Sequence, residues 1–172
     1  MNTRRIVTLS MLTGIALIIF ILELRLPNLL PIPGVKLGLA NIITVYAVFR
    51  FTPKETALIV TARVLLGAVF SGNPSALIYS AAGAFCCLLG MIALRGVLPA
   101  ERIWLCSVIG AMLHNTGQIA AACAVMRSVS VAAYLPVLLV TGTIAGLFTG
   151  LTAQFLLKRM QGERGGGEPP RA

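Results

Sequence analysis

From Ile6 to Leu22 the chain runs without a single charge. Further stretches nearly as apolar follow it, each closed by proline, glycine or basic residues. An α-helix needs roughly 20 apolar residues to cross a hydrocarbon core ~30 Å thick. Inside that core only helices and closed barrels satisfy every backbone polar group. Runs of this length therefore dictate an all-α membrane protein. Composition agrees: 58% of residues are hydrophobic and 11% charged, against about 25% charged in soluble domains. The first run is too long for the apolar part of a cleaved signal peptide. No Ala-x-Ala-like site follows it, so it reads as a retained first transmembrane helix.

Turn and capping residues divide the chain into six predicted helices. The first spans Ile6 to Leu26 and is closed by Pro27, and a loop over Pro27 to Gly34 follows it. The second spans Val35 to Phe51 and is short for a full crossing. Thr52-Pro-Lys-Glu55 has the form of a capping box with proline at the first helical position, starting a third helix over Pro53 to Phe70. Ser71 to Ser75 makes a turn in which Asn73 caps a fourth helix, Pro74 to Leu94. A polar loop over Arg95 to Arg102 precedes the fifth, Ile103 to Val125. The sixth spans Ala133 to Leu157 with Pro136 in its first turns. The domain reading is a six-helix transmembrane domain over residues 1–157 and a disordered basic tail over 158–172, rich in Gly, Pro and charge.

The net charge of +9 follows the topology. Arg4, Arg5, Arg50, Lys54, Arg95, Arg102, Lys158, Arg159, Arg164 and Arg171 fall on one side of a six-span arrangement. Only Arg25, Lys36 and Arg127 fall on the other. The positive-inside rule then puts both termini in the cytoplasm. Nucleic acid is not needed to explain the charge, and the partner of the surface is the lipid bilayer. There is no aspartate, and the five glutamates are scattered. Clustered acids for Mg²⁺, carboxylate pairs for acid–base work and a P-loop are missing. No catalytic residue, metal site or cofactor is expected. Cys86, Cys87, Cys106 and Cys123 read as small buried hydrophobes.

The least ordinary run is Pro31 to Asn41. Two prolines and a glycine forbid a helix before Val35. Lys36 and Asn41 then stand at the head of an apolar stretch beside Gly38 and Ala40. Two readings stand: a loop and helix start lining a binding cavity, or a plain outer turn with a snorkelling lysine. Arg63 lies ten residues into the third helix, ~15 Å deep at 1.5 Å per residue. A charge there must face the protein interior or a polar cavity. His114 lies about as deep on the fifth helix, with Asn115 and Gln118 beside it; Glu23 is the acid within reach of the outer half. The candidate substrate-binding set is Lys36, Asn41, Arg63, Asn115 and Gln118, with His114 and Glu23 nearby. The alternative is an internal polar network that locks helices together. Three basic groups against one glutamate suggest an anionic or carbonyl-rich ligand. Gly142-x-x-x-Gly146-x-x-x-Gly150 gives the sixth helix a smooth face for internal packing. Ser10, Gly14 and Ala16 form a small-residue patch on the first helix, for packing or for docking a membrane partner.

Four motifs in order, Pro33-Gly-Val-Lys-Leu-Gly-Leu-Ala-Asn41, Arg63-x-Leu-Leu, Tyr79-Ser-x-Ala-Gly83 and His114-Asn-x-Gly-Gln118, resemble the Gx transporter family. Its members are also labelled heptaprenyl diphosphate synthase component I. The resemblance covers about residues 6–157. It implies an S-component-like bundle, similar to the substrate-binding subunits of energy-coupling factor (ECF) transporters. Such a protein sits in the bacterial plasma membrane and binds a small vitamin-like, redox-cofactor or isoprenoid-related molecule from outside. Separate ECF transmembrane and ATPase subunits supply energy, and the Ser10/Gly14/Ala16 patch would dock the transmembrane partner. The label also implies an alternative, a non-catalytic membrane accessory of heptaprenyl diphosphate synthesis. Prenyl diphosphate synthases hold Mg²⁺–diphosphate through aspartate-rich motifs, and this chain has no aspartate.

Overall fold

A computed structural model describes residues 3–25, 39–72, 75–99 and 102–165. The Pro27 to Gly34 loop, Lys36, Asn73 and Pro74 lie outside them. The described residues form six α-helices and one short 3-10 helix: α1 (Thr3–Arg25), α2 (Asn41–Arg50), α3 (Pro53–Ser71), α4 (Ser75–Arg95), α5 (Ile103–Met126), the 3-10 helix Val129–Tyr134, and α6 (Leu135–Gly165). Four segments are long and apolar enough to cross a membrane: Thr3–Glu23, Leu77–Arg95, Ile103–Met126 and Val129–Met160. Large apolar side chains such as Met11, Ile18, Val69, Phe85, Ile144 and Phe155 point outward, as lipid-facing residues do. The protein is an all-α, multi-pass membrane bundle.

Three boundaries differ from expectation. Leu39 and Ala40 form a turn, closed by the Ile42 N–H donating to the Leu39 carbonyl at 3.1 Å. Helical geometry begins at Asn41, so α2 has 10 residues and covers only ~15 Å. Ala133 is in 3-10 rather than α geometry, and α6 proper begins at Leu135. Pro136 then falls in its first turn, where the missing N–H costs nothing. At the other end, α6 continues past Leu157 to Gly165. The expected tail is therefore helical through that point, because Lys158, Arg159 and Gln161 are strong helix formers; residues 166–172 lie outside the described residues.

The start of α3 takes the capped form the sequence suggests. The Thr52 hydroxyl accepts from the Glu55 N–H, and the Glu55 carboxylate accepts from the Thr52 N–H at 3.0 Å. Gly72 closes the helix in the left-handed region at φ 64°. At this cytoplasm-assigned end the helices are tied together. Arg5 on α1 pairs with Glu55 on α3, with Nη2 donating to Oε2 at 3.0 Å. Arg95 at the end of α4 donates to the Phe51 carbonyl at 2.8 Å. The Trp104 N–H on α5 donates to Gln154 Oε1 on α6 at 3.4 Å. The starts of α1, α3 and α5 thus meet the ends of α2, α4 and α6, and the helices alternate in direction.

The C-terminal three helices pack at glycine distance. A Cβ placed at Gly146 on α6 would come within 2.9 Å of Val108 Cα, and one at Gly150 within 2.7 Å of Trp104 Cα. On the opposite side of α5, Gly117 approaches the Ala82 carbonyl of α4 and Gly110 approaches Met91. α5 is thus the central helix of a tight α4–α5–α6 layer, and the glycine face of α6 is internal packing. On the N-terminal side, Leu9 and Ala16 of α1 pack with Ile43, Ala47 and Ile59 of α2 and α3. Thr56, fully buried, donates to the Ala47 carbonyl at 3.1 Å.

Candidate binding site

The burial pattern of each helix aims specific polar residues inward. On α1 the buried positions Leu9, Ala16 and Glu23 recur every seven residues, and Glu23 is only 8% exposed. On α3, Thr56, Ile59, Val60 and Gly67 are buried. Arg63 falls on that same stripe, one turn from Ile59 and one from Gly67, so it points into the bundle and not at lipid. Phe20 of α1 covers Gly67 of α3, where an added Cβ would sit 3.0 Å from its ring. That contact sets Glu23 and Arg63 about a turn to either side of one crossing.

Two further groups stand at the level of Arg63. Arg63 lies within electrostatic reach of the Cys87 position and, more weakly, of Glu23, and the Asn41 side chain lies beside the Cys87 thiol. Asn41 opens α2 and Cys87 lies two turns above Arg95 on α4, so α2, α3 and α4 each supply one residue, with Glu23 of α1 further outward. Arg63 is half-buried and makes no hydrogen bond to a described residue. Among the described residues no buried side-chain nitrogen or oxygen lacks a partner.

The remaining candidates divide. His114 and Gln118 both face α4: a Cβ at Gly83 would meet Gln118 Cγ at 2.6 Å and His114 Cε1 at 3.0 Å. Gly83 is one helical turn from Cys87 on the same face, so these two residues stand one level outward from Arg63. Asn115 is turned about 100° away. Its Nδ2 donates to the Leu138 carbonyl on α6 at 2.5 Å, and it packs on Gly142. It ties α5 to α6 and does not join the Arg63 level. Lys36 lies outside the described residues. The small-residue patch also splits. Ser10 is exposed and Gly14 has open space beside it, whereas Ala16 is 1% exposed and sits in the core.

Cys87 was missed as part of this constellation. Sequence gave it the same weight as three other cysteines in apolar runs, and only the packing of α4 against α2 and α3 distinguishes it.

A family model described as heptaprenyl diphosphate synthase component I matches residues 12–156. No curated protein and no solved structure matches the chain.

Proposed function

The chain belongs to the heptaprenyl diphosphate synthase component I family, and from that premise we propose that it is a substrate-binding membrane subunit. In this reading it binds a small vitamin-like, redox-cofactor or isoprenoid-related molecule within the bundle. Reorientation with ECF-type transmembrane and ATPase partners in a bacterial plasma membrane would complete transport. One observation carries it: an inward-facing arginine ten residues into α3, at the level of Asn41 and Cys87, whose donors make no hydrogen bond to a described residue. A guanidinium carries five N–H donors, and leaving such donors without acceptors in a low-dielectric setting is costly. A ligand bearing acceptors supplies what no described residue does. Asn41 orients it from the start of α2, and Gln118 and His114 meet it one level outward. Lys36 belongs to the proposed set through its motif. Exposed Ser10 and half-buried Gly14 offer a docking edge for a membrane partner, without Ala16.

Native mass spectrometry of the protein extracted gently from its own membrane tests this. A bound vitamin-sized mass or an associated ATPase module supports it. Arg63→Ala should then lower ligand affinity at least tenfold, about 1.4 kcal/mol, with the yield of folded protein unchanged. Loss of folded protein with unaltered affinity per folded molecule would make Arg63 structural.

A second reading, a non-catalytic accessory of heptaprenyl diphosphate synthesis, is favoured by the family description itself, which names a component of that enzyme. The absence of aspartate argues against this chain holding Mg²⁺–diphosphate in the manner of a synthase. A bound prenyl chain or synthase subunit with no ATPase, and faster prenyl transfer when the chain is added, would establish it.

A further inference from the structure

We propose that the cytoplasmic mouth of the furrow between α5 and α6 is a site for an anionic phospholipid, its phosphate held between Arg102 and Lys158 and its acyl chains lying along the furrow. The proposal needs only the membrane class and the topology, and it holds under either functional reading.

The furrow has a defined side. The Ser107 and Thr149 hydroxyls meet at 3.1 Å and both residues are buried, which marks the inner flank of the α5–α6 contact. At about 100° per residue, Leu105 and Ile109 are turned ~160° from Ser107, and Leu147 and Leu151 ~160° from Thr149. Leu147 and Leu151 are exposed, and Leu105 and Ile109 half-buried. These four line the outer flank, which faces lipid. Its cytoplasmic end is polar. The Trp104 N–H donates to Gln154 Oε1 and sets the two helices level there. Lys158 stands one turn beyond Gln154 and about 180° from Thr149, so it stays on the outer flank. Arg102 immediately precedes α5. Both cations are exposed. The described carboxylate at this surface, Glu55, is taken by Arg5. Over the whole sequence, the ten basic residues assigned to this side outnumber Glu55, Glu101, Glu163 and Glu168. Two cations at head-group depth above an apolar furrow match a phosphate with acyl chains below it, and basic pockets between helices on this side suit anionic head groups. Trp104 lies at the same level, where indoles are enriched.

Trp104 is the only tryptophan in the chain, so the full-length protein reports its own lipid contact by fluorescence. The test is reconstitution into phosphatidylcholine vesicles with a rising fraction of brominated phosphatidylglycerol, whose bromine quenches the indole on contact, against brominated phosphatidylcholine as the reference. Wild type should prefer phosphatidylglycerol by at least about fivefold, and the preference should fade as salt is raised. Arg102→Gln/Lys158→Gln should bring the ratio close to one. Arg4→Gln/Lys54→Gln, which removes the same charge from the other half of the surface, should keep it. Equal quenching by both lipids in wild type overturns the proposal. So does a preference that survives the first double variant, or one lost equally in both, since diffuse surface charge then accounts for it. If the first double variant does not reconstitute folded, Lys158→Gln alone should at least halve the preference, and an unchanged ratio there is also fatal. Soluble glycerol phosphate at millimolar concentration should not relieve the quenching; relief would reassign the site to free phosphate and overturn the lipid.

Discussion

Glu55 shows how much one side chain can do at a helix start. Its carboxylate accepts from the Thr52 backbone N–H, then from the Thr52 hydroxyl at 2.8 Å, and it faces Arg5; together these hold it below the usual carboxylate range despite some burial. A carboxylate depressed in the folded state stabilises the fold fully above its unfolded value of about 4.3, and that stability is lost as pH falls through the folded value. Thermal melts in detergent between pH 3 and neutrality should therefore show an acid-side loss that Glu55→Gln lacks, on the order of one titrating group. Thr52→Ala should cost about 1 kcal/mol as a lost cap, and in the same melts it should move the acid transition to higher pH. Asn115 makes the opposite case. Its motif suggests ligand contact, but its amide donates to Leu138. Asn115→Leu should lower stability by about 0.6–1.7 kcal/mol while leaving ligand affinity per folded molecule within twofold.

At the scale of elements, the two small-residue stripes separate by what surrounds them. On α6, a Cβ added at Gly146 would meet Val108 Cα and Ala111 Cβ at 2.9 and 3.0 Å, atoms of a neighbouring helix that cannot swing aside. Gly146→Ala should destabilise by about 1–3 kcal/mol, as overpacking does. Gly14 has nothing within 4 Å. Gly14→Ala should leave the melting temperature unchanged or raise it, since alanine is the better helix former. Paired melts in one detergent check both. Gly14→Leu tests the docking edge: it should release a membrane partner in pull-downs without lowering stability.

Over the whole molecule, the ties Arg5–Glu55, Arg95–Phe51 and Trp104–Gln154 gather three helix starts and three helix ends at one surface. Arg4, Arg50, Lys54, Arg102 and Lys158 are exposed there. The positive-inside rule assigns that surface to the cytoplasm. A fluorescent protein fused after Ala172 should therefore fluoresce, and alkaline phosphatase fused at Ser130 should be active. The reverse pair of results would invert the topology. The same geometry divides labour between the halves: α4, α5 and α6 form a glycine-packed layer, and α2 and α3 bring Asn41 and Arg63 to its edge at Cys87.

Sequence by itself determined the helical membrane class, the existence of six helices, the Thr52–Glu55 cap and the inward need of Arg63. Each follows from local rules: apolar length against bilayer thickness, turn chemistry over four residues, and the cost of a charge in hydrocarbon. It did not determine which polar residues meet. Asn115 and His114 are neighbours in sequence, yet a rotation of about 100° per residue sends them to different helices. Ala16 shares a patch with Gly14 on paper and lies on the buried side in space. Cys87 joins Arg63 and Asn41 only because α4 packs against both α2 and α3. Those choices belong to the rotation and crossing of whole helices, which depend on every side chain at the interface and are not written in any one segment.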